Sequence, residues 1–186
     1  MRIIGVDPGT NTLGVAVIDL DLQTGQRTLI DARTFDVTKN QKDYHNLFAV
    51  HGDSEGRLQM LEDALVNYFN WFQPHVVISE SPFLRARLAT AFRALTLCLS
   101  RIRQALIRHD RFKPLHLSDP MTVKAAVGVH SKGSKNKDAL GKDKVKEAVM
   151  MQDILNPGGI DLSELDEHSI DAIAVACSRI VAMYQP

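Results

Sequence analysis

RIIGVDPGTNTLGVAVIDL, residues 2–20, decides the fold. Residues 2–6 are an apolar run too short for a helix, and Asp7-Pro8-Gly9-Thr10 is a turn sequence. Residues 13–20 (LGVAVIDL) are again apolar and rich in β-branched side chains, which predicts a second strand. Gly25 punctuates the next reversal, and residues 27–37 read as a third strand. Three strands joined by short turns predict an antiparallel meander, with one carboxylate, Asp7, where the first strand leaves the sheet.

Downstream the period changes. Residues 38–56 are polar and read as a loop. Leu58, Leu61, Leu65, Tyr68, Phe69 and Phe72 recur at steps of three and four and predict an amphipathic helix that Pro74 stops. Residues 75–79 (HVVIS) predict a buried strand, which ends on Glu80 and is broken by Pro82. Leu84, Leu88, Phe92, Leu95, Leu99, Ile102 and Leu106 line one face of a long helix, and Arg85, Arg87, Arg93, Arg101, Arg103 and Arg108 line the other. Residues 114–117 read as a fifth strand, Ser118-Asp119-Pro120 as a helix start, residues 131–144 as a basic loop and residues 156–159 (NPGG) as a turn. A further helix reaches about residue 152, and the last runs over 166–184. The expected architecture is α/β: one domain over residues 1–186, with a five-stranded mixed sheet flanked by helices, the layout of the RNase H-like fold.

The chain has 186 residues, 45% of them hydrophobic, enough for one domain with a real core. No run approaches the roughly 20 apolar residues of a membrane span. Cys98 and Cys177 both fall in apolar helical patterns, which suits a reducing, cytoplasmic setting better than a disulfide framework. The formal net charge is zero, but its distribution is uneven. Residues 84–150 hold 15 Lys/Arg against 5 Asp/Glu, whereas the flanking segments are acidic. A clustered basic segment is the footprint of a phosphate-backbone binder, or else a solvated helix face beside a charged loop.

The acids carry the chemistry. Asp7 and Glu80 follow buried runs at strand ends, where open α/β sheets build their sites. His168 and Asp171, three apart on the last helix, project together; Glu167, on the same turn, rivals His168. Carboxylates converging on one point repel each other unless a cation joins them. Oxygen donors suit magnesium, with manganese as a substitute. Two such ions, roughly 4 Å apart, are suited to phosphodiester hydrolysis. Neither cysteine has zinc-ligand spacing to a histidine.

Four segments in order, IIGVDPGT-x3-G (Ile3 to Gly14), VVISESPF (Val76 to Phe83), a P-x-x-V-K stretch beginning at Pro120, and DEHSIDAIAVA (Asp166 to Ala176), resemble the RuvC family of Holliday-junction resolvases. The resemblance implies a homodimer that nicks a four-way DNA junction symmetrically with magnesium. It places metal ligands on Asp7, Glu80 and Asp171, and on His168 in a slot that varies between Asp and His. It places a junction-inserting aromatic on Phe83 and DNA-contacting lysines on Lys124 and Lys142, with Lys144 as a substitute. Arg85, Arg87, Lys132, Lys135 and Lys137 join them as candidate phosphate contacts from the basic segment. Ser81-Pro82 before Phe83, and a long lysine-rich loop over residues 131–144, depart from the family pattern and bear on junction selectivity. Branched DNA in general, as for viral-type relatives, is then a possible substrate. A YqgF-like RNA-processing nuclease on the same fold, a non-catalytic junction binder and an actin-like ATP-binding protein (prompted by Asp7-Pro8-Gly9-Thr10) are the competing readings. The last needs a second phosphate loop that the chain lacks.

Overall fold

The structure, a computed structural model, describes residues 1–39, 41–82, 89–129, 142–152 and 154–184. The meander forms as the patterns predict: β1 (Arg2–Asp7), β2 (Thr12–Leu20) and β3 (Arg27–Asp36) pair antiparallel in sequence order, with a register irregularity at Val17/Ile18. The crossover helix α1 (His45–Phe72) leads to β4 (Val76–Glu80), parallel to β1. Helix α2 (Ala89–His109) leads to β5 (Leu115–Ser118), parallel to β4. Helices α3 (Pro120–Ala126) and α4 (Lys142–Met150), strand β6 (Leu155–Asn156) and helix α5 (Glu167–Tyr184) complete the described chain.

The sheet order is β5-β4-β1-β2-β3-β6, so among the described residues the sheet has six strands where the sequence led us to expect five. The sixth, β6, is two residues long and pairs with Arg27 and Thr28 of β3. Two residues carry no period, so the Asn-Pro-Gly-Gly turn signal beside them hid the pairing. A second correction concerns residues 45–56, expected as loop but helical. Within α1, Gly52 sits at φ 79°, ψ 169°, which interrupts the helical period just where composition turns polar. Phe48 anchors the first half by stacking over Gly56, whose absent Cβ would come within 2.8 Å of the ring.

Two hydrophobic layers sandwich the sheet. On one face α1 and α2 pack large side chains, among them Leu61, Leu65, Phe69, Leu99, Ile102 and Leu106, against Ile4, Val6, Leu13, Val15 and Val17. On the other, α5 lies across β1 and β2, and is itself covered by α3 and α4, so that Ser169 to Ser178 is buried except at Asp171, which is half-buried. Here the sheet offers glycine. A Cβ on Gly5 would sit 2.2 Å from the Ala172 carbonyl oxygen, and one on Gly14 would sit 2.0 Å from that of His168. Glycine inside a strand marks such close backbone approach. Among the described residues, no helix is long and apolar enough to cross a membrane, and Cys98 and Cys177 are buried free thiols.

Candidate active site

The register of the parallel pair builds the site. Val6 faces Ser79, so the next residues along, Asp7 and Glu80, leave the sheet side by side. Glu80 is in turn level with Ser118 of β5, and the Ser81 N–H donates to the Ser118 carbonyl at 2.8 Å, which fixes the chain as it turns away. Asp119 then caps α3 by accepting from the N–H groups of Met121 and Thr122, both at 3.0 Å. That capped turn sets Val123 inward and Lys124 on the rim.

The other wall is the start of α5. Asp166 accepts from the Ser169 N–H at 2.9 Å and from the Thr34 hydroxyl at 2.6 Å, an N-cap tied to β3. With the cap fixed and the helix backbone seated on Gly5 and Gly14, the first turn of α5 can sit in only one place. It delivers Glu167 and Asp171 into a cleft of about 630 Å³ that Asp7, Glu80, Asp119 and Lys124 also line. Phe92 and Leu95 of α2 and Met121 give it an apolar side. Lys124 is the one cation among the described lining residues.

His168 takes a different position. It lies outside the lining and behind Asp7, with Nδ1 2.8 Å from Asp7 Oδ2 and Nε2 2.9 Å from Thr12 Oγ1. Asp7 thus has one carboxylate oxygen held by imidazole, an interaction that raises the His168 pKa against the opposing pull of burial. Behind the same turn the Cys98 thiol donates to the Gly9 carbonyl at 3.4 Å, and burial pushes that thiol up to about 12.

The cleft is electrostatically uncompensated. Burial, then repulsion from Asp7 and Asp171, pushes Glu80 up to about 7 despite Lys124. Burial, then Asp7 and Glu167, pushes Asp171 up to about 6, against His168 and Lys124. Acids held this high are the usual mark of a site awaiting a proton or a cation. Among the described residues, no three of His, Cys, Asp and Glu draw close enough to form a ready-made cage. The donors instead ring an open cleft. That arrangement fits magnesium, which binds through one or two carboxylates plus waters and substrate phosphates, and does not fit a closed structural zinc site.

The remaining candidates separate into three groups. Lys144 is exposed on α4 and does not line the cleft, and Lys142 is the first residue of that helix. Phe83, Arg85, Arg87, Lys132, Lys135 and Lys137 lie outside the described residues. On α2, Arg101 pairs with Glu55 and with Glu62 (3.0 Å), and Arg108 bridges Glu62 and Asp63 at 2.9 Å each, so these two arginines bind α1 rather than form a free basic face. Sequence reasoning missed Thr12 and Phe92 as site residues. For Thr12 the only hint was Gly14 two residues on, a strand glycine announcing that something packs there.

An RNase H-like fold with clustered acids at adjacent strand ends and at a helix start is the architecture of a nuclease-type domain. No protein-family profile matches the chain. A RuvC crossover-junction endodeoxyribonuclease of Prochlorococcus marinus is 26% identical over 182 residues, covering 97% of this chain and 96% of that protein. Thermus thermophilus RuvC, solved in complex with a Holliday-junction substrate, matches with a TM-score of 0.69 at 19% identity, covering 100% of this chain and 97% of that one. The fowlpox virus resolvase, solved with its substrate Holliday-junction DNA, matches with a TM-score of 0.58 at 13% identity over the whole of both chains. In its fold, its full-length likeness and its four ordered motifs, the chain is similar to RuvC-type crossover-junction endodeoxyribonucleases.

Proposed function

We propose that this chain is a metal-dependent endonuclease that resolves four-way and other branched DNA by hydrolysing phosphodiesters. The observation that supports this most is the convergence of Asp7, Glu80 and Asp171 on one cleft in which two of the three are pushed well above the ordinary carboxylate range. Binding phosphates alone gives no reason to bury acids together, which speaks against a purely structural junction binder.

In this reading Asp7, Glu80 and Asp171 would hold two magnesium ions, with Glu167 and His168 as the remaining donors. Bound there, the ions would supply Lewis acidity and a water acidic enough to attack phosphorus. The chain's own residues do the rest. Glu80 and Asp171, both raised by burial and by their acidic neighbours, would serve as ionised ligands once a cation offset that repulsion. Lys124, on the cleft rim, takes a phosphate oxygen of the strand to be cut. The apolar side at Phe92 and Leu95 excludes bulk water from that wall. Hydrolysis breaks one P–O ester bond, and the leaving oxygen collects the proton that the water released.

Resolving a junction requires two nicks, and one chain carries one such cleft, so the working unit in this proposal is a homodimer. The basic segment supplies the wider DNA surface in this proposal, through Lys142 and Lys144 together with the sequence candidates Phe83, Arg85, Arg87, Lys132, Lys135 and Lys137. The two buried free thiols support a reducing compartment, in this proposal the cytoplasm.

The test is cleavage of four-way, flapped and linear duplex DNA, and of structured RNA, side by side, with and without magnesium. Magnesium-dependent cutting of the four-way junction ahead of linear duplex supports the proposal. Cutting of RNA but not of the junction favours the YqgF-like reading. Tight junction binding with no cutting in any divalent metal favours the structural binder.

A further inference from the structure

Two lysines of α4 stand two residues apart and differ in surroundings. Lys144 is exposed, whereas Lys146 is half-buried and reaches the chain that leads into α5. The Lys146 ammonium donates to the carbonyl oxygens of Ser163 at 2.7 Å and of Leu165 at 3.0 Å. We infer that Lys146 is a positioning residue for cleavage and not a DNA contact: it fixes the turn before α5 and so holds the acids of that helix in the cleft. This rests on the nuclease reading above.

The turn's own bonds are local. The Ser163 N–H and hydroxyl donate to Asp161 at 2.9 and 2.6 Å, and the Glu164 N–H donates to the Asp161 carbonyl at 3.2 Å. Ile160, Leu162 and Leu165 pack against the core layer that includes Val145 and Val149 of α4. Apolar contact is non-directional, so it sets how closely the turn lies but not where along α4 it stops. A charged donor bonded to two carbonyls is directional and does set that. The Asp166 carbonyl accepts from the Ile170 N–H at 3.1 Å and is the first to bond within the helix. The Ser163 and Leu165 carbonyls precede it and need partners outside the helix. Since Leu165 adjoins the Asp166 cap, holding its carbonyl fixes where α5 begins. On the other side, Val145 lines the cleft together with Glu167 and Asp171. Neighbouring residues of α4 thus touch the cleft and the entry of α5. Lys146 itself is not in the lining, and the lysine whose charge acts on Glu80 and Asp171 is Lys124. Lys146 therefore acts on the acids through position and not through charge.

Lys146→Met separates the two roles a lysine of this segment can have. Junction affinity is measured in calcium over a range of salt, and the single-turnover cleavage rate constant in magnesium. Affinity and its salt slope should match the wild type, and the rate constant should fall by about tenfold or more, because small misplacements of reacting groups are costly. Weakened affinity with a salt slope lower by about one would make Lys146 a phosphate contact and overturn the inference while leaving the nuclease reading standing. So would an unchanged rate constant in a Lys146→Met protein with wild-type melting. Brief acetylation of the wild-type chain, which needs no variant to fold, should modify Lys144 well before Lys146. Equal modification of the two would overturn the inference. A wild type that cuts no junction in magnesium would overturn the nuclease reading and this inference with it.

Discussion

The two faces of the sheet are packed by opposite means. The α1/α2 face meets the strands with Phe69, Leu61, Leu65, Leu99 and Leu106, so side chains set the spacing and can adjust to small changes. The α5 face meets them with Ala172, Ala176 and the His168 backbone against Gly5 and Gly14, so main chain touches main chain. Side-chain packing supplies stability; backbone packing supplies position. The acids that must converge lie on β1, β4 and α5, and the first turn of α5 reaches them because there is no side chain between helix and sheet to give way. The structure thereby separates a face that holds the fold from a face that aims the site.

Metal removal should have the largest effect. Chelation of divalent ions should lower junction cleavage by about a thousandfold or more, since the ions' charge stabilisation is worth several kcal/mol. Cleavage that persists in chelator would remove the chemical reason for aiming acids at all. The comparison itself is sharpened by one substitution on each face. Leu65→Ala should cost about 2–5 kcal/mol of stability, measured by denaturant unfolding, yet leave cleavage per folded molecule within about twofold. Gly14→Ala should cost about 1–3 kcal/mol by overpacking, yet reduce cleavage per folded molecule at least about tenfold, because the Cβ pushes the first turn of α5 away from Asp7. If both variants lose stability and cleavage in the same proportion, the two faces do not divide holding the fold from aiming the site.

The smallest effect is on stability against pH. Glu80 and Asp171 have raised pKa values in the fold, to about 7 and about 6. A raised carboxyl favours folding fully below its ordinary range and loses that contribution as pH climbs through the folded value. The metal-free protein should therefore melt lower at pH 8 than its other groups alone would dictate, by on the order of 2–4 °C for each kcal/mol. His109 and His116, both held low by burial, pull the opposite way at the acid end. The comparison is therefore with Glu80→Gln, which should flatten the slope, and magnesium at pH 8 should restore wild-type melting. A slope identical in the variant would contradict the repulsion in the cleft.

The legible parts were those with a period or a strand end. The meander, β4, β5 and the α5 stripe came from alternating or three-four spacing, and Asp7 and Glu80 stood out as charges terminating apolar runs. The kinked first half of α1 and the two-residue β6 were not legible. At Gly52 a single backbone torsion resets the helix, and a two-residue strand has no period to read. Within the site, the choice between Glu167 and His168 was also closed to sequence. Around a helix, residues three apart differ by about 60° and residues four apart by about 40°, so both can share a side with Asp171. Thr12, 156 residues away along the chain, holds the imidazole behind Asp7. The tertiary fold alone brings that hydroxyl there.

In the proposed function the converged acids hold cations rather than DNA. The most direct measurement of this is a paired assay on Glu80→Gln, junction affinity in calcium and single-turnover junction cleavage in magnesium. Affinity should stay within about threefold of wild type and cleavage should fall by about a thousandfold. Affinity and cleavage falling together, or cleavage surviving the substitution, would contradict it.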